Sequence, residues 1–498
     1  VSPVTRRILP AAFYNPISLV GAVIAVFNAG LIVFLSVVVM LSEHPGPYSD
    51  LVIFLLLPAI LLGGLALIVI GVLLERRRLR AGRPERRLPV IDFNDPWYRT
   101  AAITLVSGAT LLMLLYAFTG YKAYEFAEST TFCGGLCHAV MSPEATAHAF
   151  SLHAEVACVD CHVGPGARYF VKAKLAGIRQ LFGVIRNHYP RPIPVPIDNL
   201  RPAQDTCEGC HGPQYRFSDR LDIKKRFLPD EANTEWTVDL LLRMGEARIE
   251  TATPPKVHWH SSTTSRIEYA TNDPKRVEIP WIHVVRLDGI ERTYRSKDSP
   301  LGDTELAAAP KRVMDCIDCH NRTGHYYRPP SRSVDTLLGA NLINPALPAI
   351  KQVAVEALEG DYDSAEAARD GIRTTIEDFY RKEHAATAAS MGDRIEGAIA
   401  AVQGIYDRNY DPHMKVSWRN FPDNAGHMFS PGCFRCHDGR HVADDGTVLS
   451  KDCNVCHLLL EHETRKDEKR AVLKVMDYPH PVDVGDAYRE MNCSDCHG

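Results

Sequence analysis

Near its C-terminus the chain reads Cys433-Phe434-Arg435-Cys436-His437, then Cys453-Asn454-Val455-Cys456-His457, then Cys493-Ser494-Asp495-Cys496-His497. The same pattern, two cysteines closed by a histidine, stands at Cys158/Cys161/His162, Cys207/Cys210/His211 and Cys316/Cys319/His320. A form one residue wider stands at Cys133/Cys137/His138. All 14 cysteines of the 498-residue chain are used in this way. With 14 cysteines and 21 histidines, chance would supply about 0.02 C-x-x-C-H motifs. Six are present, so the pattern is built, and it decides how the later part of the chain must fold.

The chemistry that needs this spacing is covalent haem attachment. Two thioethers clamp the porphyrin vinyls, and the adjacent histidine is placed under the iron as proximal ligand. Zinc sites would not require a histidine after every second cysteine, and a thioredoxin-like redox pair would occur once. A disulfide framework would show varied spacings rather than a nearly constant one. The expectation is seven covalently bound haem c groups, with His138, His162, His211, His320, His437, His457 and His497 on the irons. Wider haem-binding spacings occur, so the first motif is kept as a haem site.

A chain of this length exceeds what one core organises, so several domains are expected. The net charge of −4 and pI near 6.6 offer no footprint for nucleic acid.

Three apolar segments occupy the first quarter. Ile17 to Leu41 is interrupted only by Ser18, Asn28 and Ser36, while Leu51 to Leu74 and Ala101 to Phe118 carry no charge. Each approaches the roughly 20 residues a helix needs to cross a bilayer. Arg6 and Arg7 precede the first, and Arg76, Arg77, Arg78, Arg80, Arg83, Arg86 and Arg87 crowd the connection after the second. The turn from Ser42 to Asp50 holds Glu43 and His44 but no Lys or Arg. By the positive-inside rule the Arg-rich loop is cytoplasmic, and the third helix delivers the haem region to the periplasmic or extracytoplasmic side. Covalent haem attachment takes place on that same side, so two unrelated signals agree.

The expected fold is a mainly α membrane anchor of three transmembrane helices, then a haem-organised, mostly irregular and helical multihaem cytochrome c region with a small β-rich insert. Five regions follow: 1–95, hairpin and Arg-rich loop; 96–215, third helix and three haem motifs; 216–312, the insert; 313–420, the fourth motif and a helical segment; 421–498, the last three motifs. In the insert, Arg266–Tyr269, Val277–Leu287 and Ile290–Tyr294 read as strands, with Asp288-Gly289 as a hairpin turn. Pro345 to Tyr410 reads as two or three helices. From Phe421 onward little periodic structure is expected.

Low-spin electron-transfer haems take a second axial His or Met. Fourteen histidines lie outside the motifs. The better candidates are His153, His188, His258 or His260, His325, His427, His441 and His480. His148, His283, His384, His413 and His462 rank lower, and Met141, three residues after His138, is a further candidate ligand.

A transmembrane helix leading into Cys133-Gly134-Gly135-Leu136-Cys137-His138, with Met141 and Pro143 after it, then His153 ahead of Cys158-Val159-Asp160-Cys161-His162 and a lysine-bearing helix, resembles the NapC/NirT family of membrane-anchored cytochromes. That family includes the small subunit of cytochrome c nitrite reductase. The resemblance covers roughly residues 100–215. It implies oxidation of quinol near the first haem, with Lys172 and Lys174 matching the position of a lysine that meets the quinol oxygen, and delivery of electrons to a periplasmic partner. The chain departs from the family in its extra helical hairpin, its widened first motif, its later Met, its insert and its four further haem motifs.

Three functions are open at this point: a quinol-oxidising electron carrier with quinol:cytochrome oxidoreductase activity, a relay subunit fed by a separate quinol-oxidising membrane protein, and a terminal reductase. The last needs an iron with an open position, which the surplus of histidine disfavours.

Overall fold

The computed structural model describes residues 10–41, 52–84, 92–136, 138–164, 167–197, 200–212, 218–245, 256–464 and 471–497. Arg6, Arg7, Glu43, His44, Arg86, Arg87 and Cys137 lie outside them. The chain divides into two compact units, residues 1–132 with Cys158–Ile178, and Cys133–Ala157 with Arg179–Gly498.

The first unit holds three helices long and apolar enough to cross a bilayer: α1 (Pro16–Leu41), α2 (Leu57–Arg80) and α3 (Pro96–Glu128). α1 and α2 pack closely through small residues. A Cβ on Gly21 would lie 2.6 Å from the Gly64 carbonyl oxygen, and Ser18 Oγ donates to the Ile68 carbonyl at 3.1 Å. α2 ends on Arg77, Arg78 and Arg80, which complement its C-terminal dipole. α3 begins at Pro96, where Asp95 accepts the Trp97 N–H at 2.8 Å, and it runs past the apolar span through the Tyr-rich residues to Glu128. This unit also contains α5 (Cys158–His162) and the start of α6 (Ala167–Ile185).

The second unit begins with the widened motif and α4 (His138–Ala149). After α7 (Ala203–Cys207) come β1 (Arg220–Phe227), β2 (Glu235–Leu242), β3 (Ser265–Ala270), β4 (Trp281–Arg286) and β5 (Glu291–Ser296). The β4–β5 hairpin turns at Asp288-Gly289, where Gly289 has φ +81°. Then follow α8 (Asp303–Ala308), β6 (Lys311–Val313) and α9 (Cys316–Cys319).

Next is a helical bundle that carries no attachment motif: α10 (Pro330–Gly339), α11 (Ile350–Leu358), α12 (Ala365–Glu383), α13 (Ala385–Ser390) and α14 (Gly392–Asn409). Ser364 caps α12, and Ala368, Ile372, Ile376 and Tyr380, spaced four apart, bury one face of it against Val402 and Ile399 of α14.

The insert does not complete its own sheets. One sheet has the order β6-β3-β4-β5-β7, where β7 (His441–Ala443) follows the fifth motif; the other is β1-β2-β8-β9, with β8 (His457–Thr464) and β9 (Ala471–Met476). Every pairing is antiparallel. The region after Phe421 therefore carries more regular structure than expected. Leu458-Leu459-Leu460, paired with Leu241-Leu240-Asp239, is too short an apolar run for periodicity to reveal. α15 (Ala487–Glu490) and α16 (Cys493–His497) close the described chain.

Candidate haem sites

A single helical turn explains the motif spacing. It brings residues i, i+3 and i+4 to one face, which is where two thioethers and an iron ligand must be. α5, α9 and α16 are such turns, and Gly432–Arg435 and Cys453–Val455 are tighter 3-10 turns. The motif histidine closes the turn through its backbone N–H, donated to the first cysteine's carbonyl: His211 to Cys207 at 2.7 Å, His320 to Cys316 at 2.8 Å and His437 to Cys433 at 3.0 Å. Phe132–Leu136, which holds the first cysteine of the widened motif, is a π-helical turn.

The third motif departs from this helical form. α7 ends at Cys207, so the second cysteine, Cys210, lies beyond the helix in a turn, with its backbone N–H donated to the Cys207 carbonyl at 3.2 Å. The Cys210 side chain is exposed, as are those of Cys453 and Cys496, whereas the other described motif cysteines are half-buried. Cys319, by contrast, lies beside Arg435 and Cys433 of the fifth motif. Sequence spacing gives the order of the two sulfurs along the chain but not how far each is enclosed by protein.

Among the described residues, four motif histidines face a histidine from elsewhere in the chain. Ring centroids are 6.0 Å apart for His153 and His211, 5.9 Å for His260 and His437, 5.9 Å for His427 and His457, and 6.2 Å for His480 and His497. Two metal–nitrogen bonds of about 2 Å with the two ring radii beyond them span roughly 6 Å, so each gap has the size of an iron between imidazoles.

Second partners orient the rings. His153 Nδ1 lies 3.3 Å from the Thr323 carbonyl, His260 Nδ1 2.8 Å from Val257, His437 Nδ1 3.1 Å from Ser450 and His480 Nδ1 2.7 Å from Val482. A carbonyl only accepts, so at His153, His260 and His437 the Nδ1 carries the proton and the Nε2 keeps the lone pair that a metal needs. Burial holds His260 down to about 4 and keeps His427, His437 and His457 below the ordinary histidine value as well. Neutral imidazole is the ligating form. The residues present fit bis-histidine haem at these four places.

His427 is seated by a backbone crossing. Gly432 has φ +52°, and a Cβ there would lie 1.3 Å from the Gly426 carbonyl oxygen, so only glycine lets this segment close over the fifth motif. His427 then packs 4.7 Å from the Phe434 ring.

The remaining candidates are placed differently. His441 is 2% exposed, with Nδ1 2.9 Å from Asp438 Oδ1 and Nε2 2.6 Å from the Ile279 carbonyl, so protein acceptors engage both nitrogens. Burial opposes its charge, but the bonds to Asp438 and Ile279 outweigh it and raise the pKa. His188 is exposed, and His258 is half-buried in the 3-10 turn that carries His260. His325 faces His148, and neither belongs to a motif. Met141 is half-buried on α4, and His162 is exposed on α5. Lys172 is exposed on α6; the side chains of Lys174 and His138 lie outside the described residues.

Consecutive attachment loops are tied together. Thr323, just past the fourth motif, holds His153 of the third site. Arg435, between the cysteines of the fifth motif, donates to the Asp318 carbonyl inside the fourth at 2.7 Å, to Arg276 at 3.0 Å and to Gly432 at 2.8 Å. Ser450, ahead of the sixth motif, holds His437 of the fifth, and the Cys433 and Cys456 thiols are hydrogen-bond neighbours. The Asp318 side chain is 1% exposed and accepts from Tyr269 Oη at 2.7 Å, Arg312 Nε at 3.0 Å and the Asp315 N–H at 2.8 Å, with Arg276 Nη1 at 3.6 Å. It fastens the fourth motif to β3 and to the residues around β6.

The chain is 41% identical to the cytochrome c-type protein ImcH of Geobacter sulfurreducens over 500 residues, which is 99% of this chain and 97% of the relative. No protein-family model and no solved structure matches it. Identity of this degree along nearly the whole of both chains, in a sequence whose every cysteine is committed to an attachment motif, means that the protein belongs to the ImcH family of c-type cytochromes, an electron-transfer family with covalently bound haem.

Proposed function

We propose that this membrane cytochrome carries seven haems c and conducts electrons from the quinol pool to a redox partner on the periplasmic side of the cytoplasmic membrane. The observation that carries this reading is the set of four motif-to-distant histidine pairs with an iron-sized gap. In it, His153, His260, His427 and His480 would join His211, His437, His457 and His497 in holding haem iron. His441 is a structural residue joining β7 to the Ile279 carbonyl.

Haem supplies reversible one-electron chemistry at iron. At these four places the chain would supply two imidazoles to each iron, so that little geometry changes with oxidation state. It also supplies the hydrogen bonds that keep successive attachment loops next to one another. Paired imidazoles leave those irons no open position, which argues against a terminal reductase. The resemblance to NapC/NirT supports quinol oxidation by this chain. Lys172 or Lys174 would hydrogen-bond the quinol oxygen and steady the charge that develops as protons leave.

Intact mass and pyridine haemochrome should both count seven haems. Six, with Cys133 and Cys137 open to alkylation, would remove the widened motif from the set; six with Cys207 and Cys210 open would remove the third. For quinol, Lys172→Ala and Lys174→Ala are compared in purified protein with a soluble quinol analogue, and at least one should slow haem reduction several-fold. If both are reduced at the unaltered rate while dithionite still reduces every haem, a separate partner oxidises quinol and this chain is a relay subunit.

A further inference from the structure

His148 and His325 face each other with ring centroids 6.0 Å apart, inside the 5.9–6.2 Å range of the four pairs above. Their setting repeats that of the other pairs. His148 is 6% exposed. His325 Nδ1 lies 3.0 Å from the Glu144 carbonyl and 3.1 Å from Glu144 Oε2, both acceptors, which places its proton on Nδ1 and its lone pair on Nε2. Yet neither residue belongs to an attachment motif, so a haem brought between them must be tethered elsewhere.

The tether is close by. A Cβ on Gly134, the residue after Cys133, would lie 2.8 Å from Ala145 Cβ, so the widened motif packs against the middle of α4. Ala145 is one turn before His148, and helical side chains lean toward the N-terminus, which puts the His148 ring over the turn that the motif touches. Glu144, which holds His325, is the neighbour of Ala145 in that turn. Val140 and Ala147 of α4 share a core with Tyr327, so the segment carrying His325 is fixed against the same helix. His138 is no alternative partner for His148. The two are ten residues apart on one helix, about 15 Å along its axis, and side chains of one rod cannot grip an iron from opposite faces.

We propose that the haem tethered by Cys133 and Cys137 is ligated by His148 and His325, and that its own motif histidine, His138, is not an iron ligand. The proposal rests on the axial reading of the other four pairs. It separates the two tasks that the tighter motifs combine: the widened motif anchors the porphyrin, and α4 with the segment after the fourth motif supplies both imidazoles.

The test uses the full-length holoprotein in detergent, with low-temperature EPR and a spectroscopically followed redox titration. His148→Met and His325→Met should each change the same single low-spin signal to a His/Met type and raise the potential of that one haem. Cys133→Ala, which leaves one thioether and so red-shifts the α-band of its haem, identifies the site. In Cys133→Ala/His148→Met the red-shifted band should titrate at the raised potential. The proposal is overturned if the two histidine variants alter two different haems, if neither alters any, or if the red-shifted band titrates at its unaltered potential. His260→Met separates this from the reading beneath it. A change in one other haem there, with none at His148 and His325, sinks only the new assignment, whereas silence in all three variants sinks the axial pairs altogether.

Discussion

Asp318→Ala should open the junction between the fourth haem motif and the five-stranded sheet at a cost of about 3–5 kcal/mol, the usual penalty for removing one partner of a buried ion pair. Asp318 is the side chain on which Tyr269, Arg312 and Arg276 converge, and nearly all of it is removed from water. Deleting it leaves the two guanidinium groups and the Tyr269 hydroxyl without their shared acceptor. Asp318→Asn keeps an oxygen for Tyr269 and should cost less. Because a multidomain haem protein does not unfold in two states, the place to read the effect is hydrogen exchange in β3 and β6 rather than a global melting curve. Protection there should fall by about two to three and a half powers of ten for the alanine variant, as about 1.4 kcal/mol corresponds to each factor of ten. Unchanged protection would show that the network does not hold the motif to the sheet.

His427→Ala should turn one low-spin haem into one that binds carbon monoxide. His427 stacks opposite His457 at 5.9 Å and an interplanar angle of 17°, and Phe434 holds it from behind. Alanine cannot reach the iron, so the sixth position is left open to a small ligand. The ferrous variant should bind one equivalent more carbon monoxide than the unaltered protein, with a matching high-spin signal when oxidised. If carbon monoxide binding does not rise, His427 is not the distal ligand at the sixth motif.

The turns of the attachment motifs were legible because they are local. A C-x-x-C-H turn is complete within five residues, and the hydrogen bond from the His320 N–H to the Cys316 carbonyl follows from the same helical geometry that sets the spacing. How far each sulfur is enclosed was not legible, since the exposure of Cys210 and the shelter of Cys319 depend on which elements pack beside the turn. The hairpin at Asp288-Gly289 was legible because the turn needs a residue that tolerates positive φ. The helical segment was read correctly in kind but with fewer helices. Between Pro345 and Tyr410 the chain makes four, because His384 and Met391 interrupt the run and set off the short α13.

Ligand choice behaved differently. His258 and His260 are equivalent by sequence, and it is the 3-10 turn Val257–Ser261 that presents His260 to His437. His441 resembled a ligand because it follows the fifth motif, but strand pairing of β7 with β5 carries it to the Ile279 carbonyl. His148 ranked low because nothing around it in sequence points to iron. Its partner, His325, is brought by a core that joins α4 to the segment after the fourth motif.

Residues within one span or one helical turn are enough to specify the three long apolar helices and the turns of the attachment motifs. Only the tertiary structure decided which distant histidine meets which motif and which strands complete the two sheets. Those contacts join residues far apart in the chain, and their partners are selected by shared burial and backbone pairing, which no local spacing encodes.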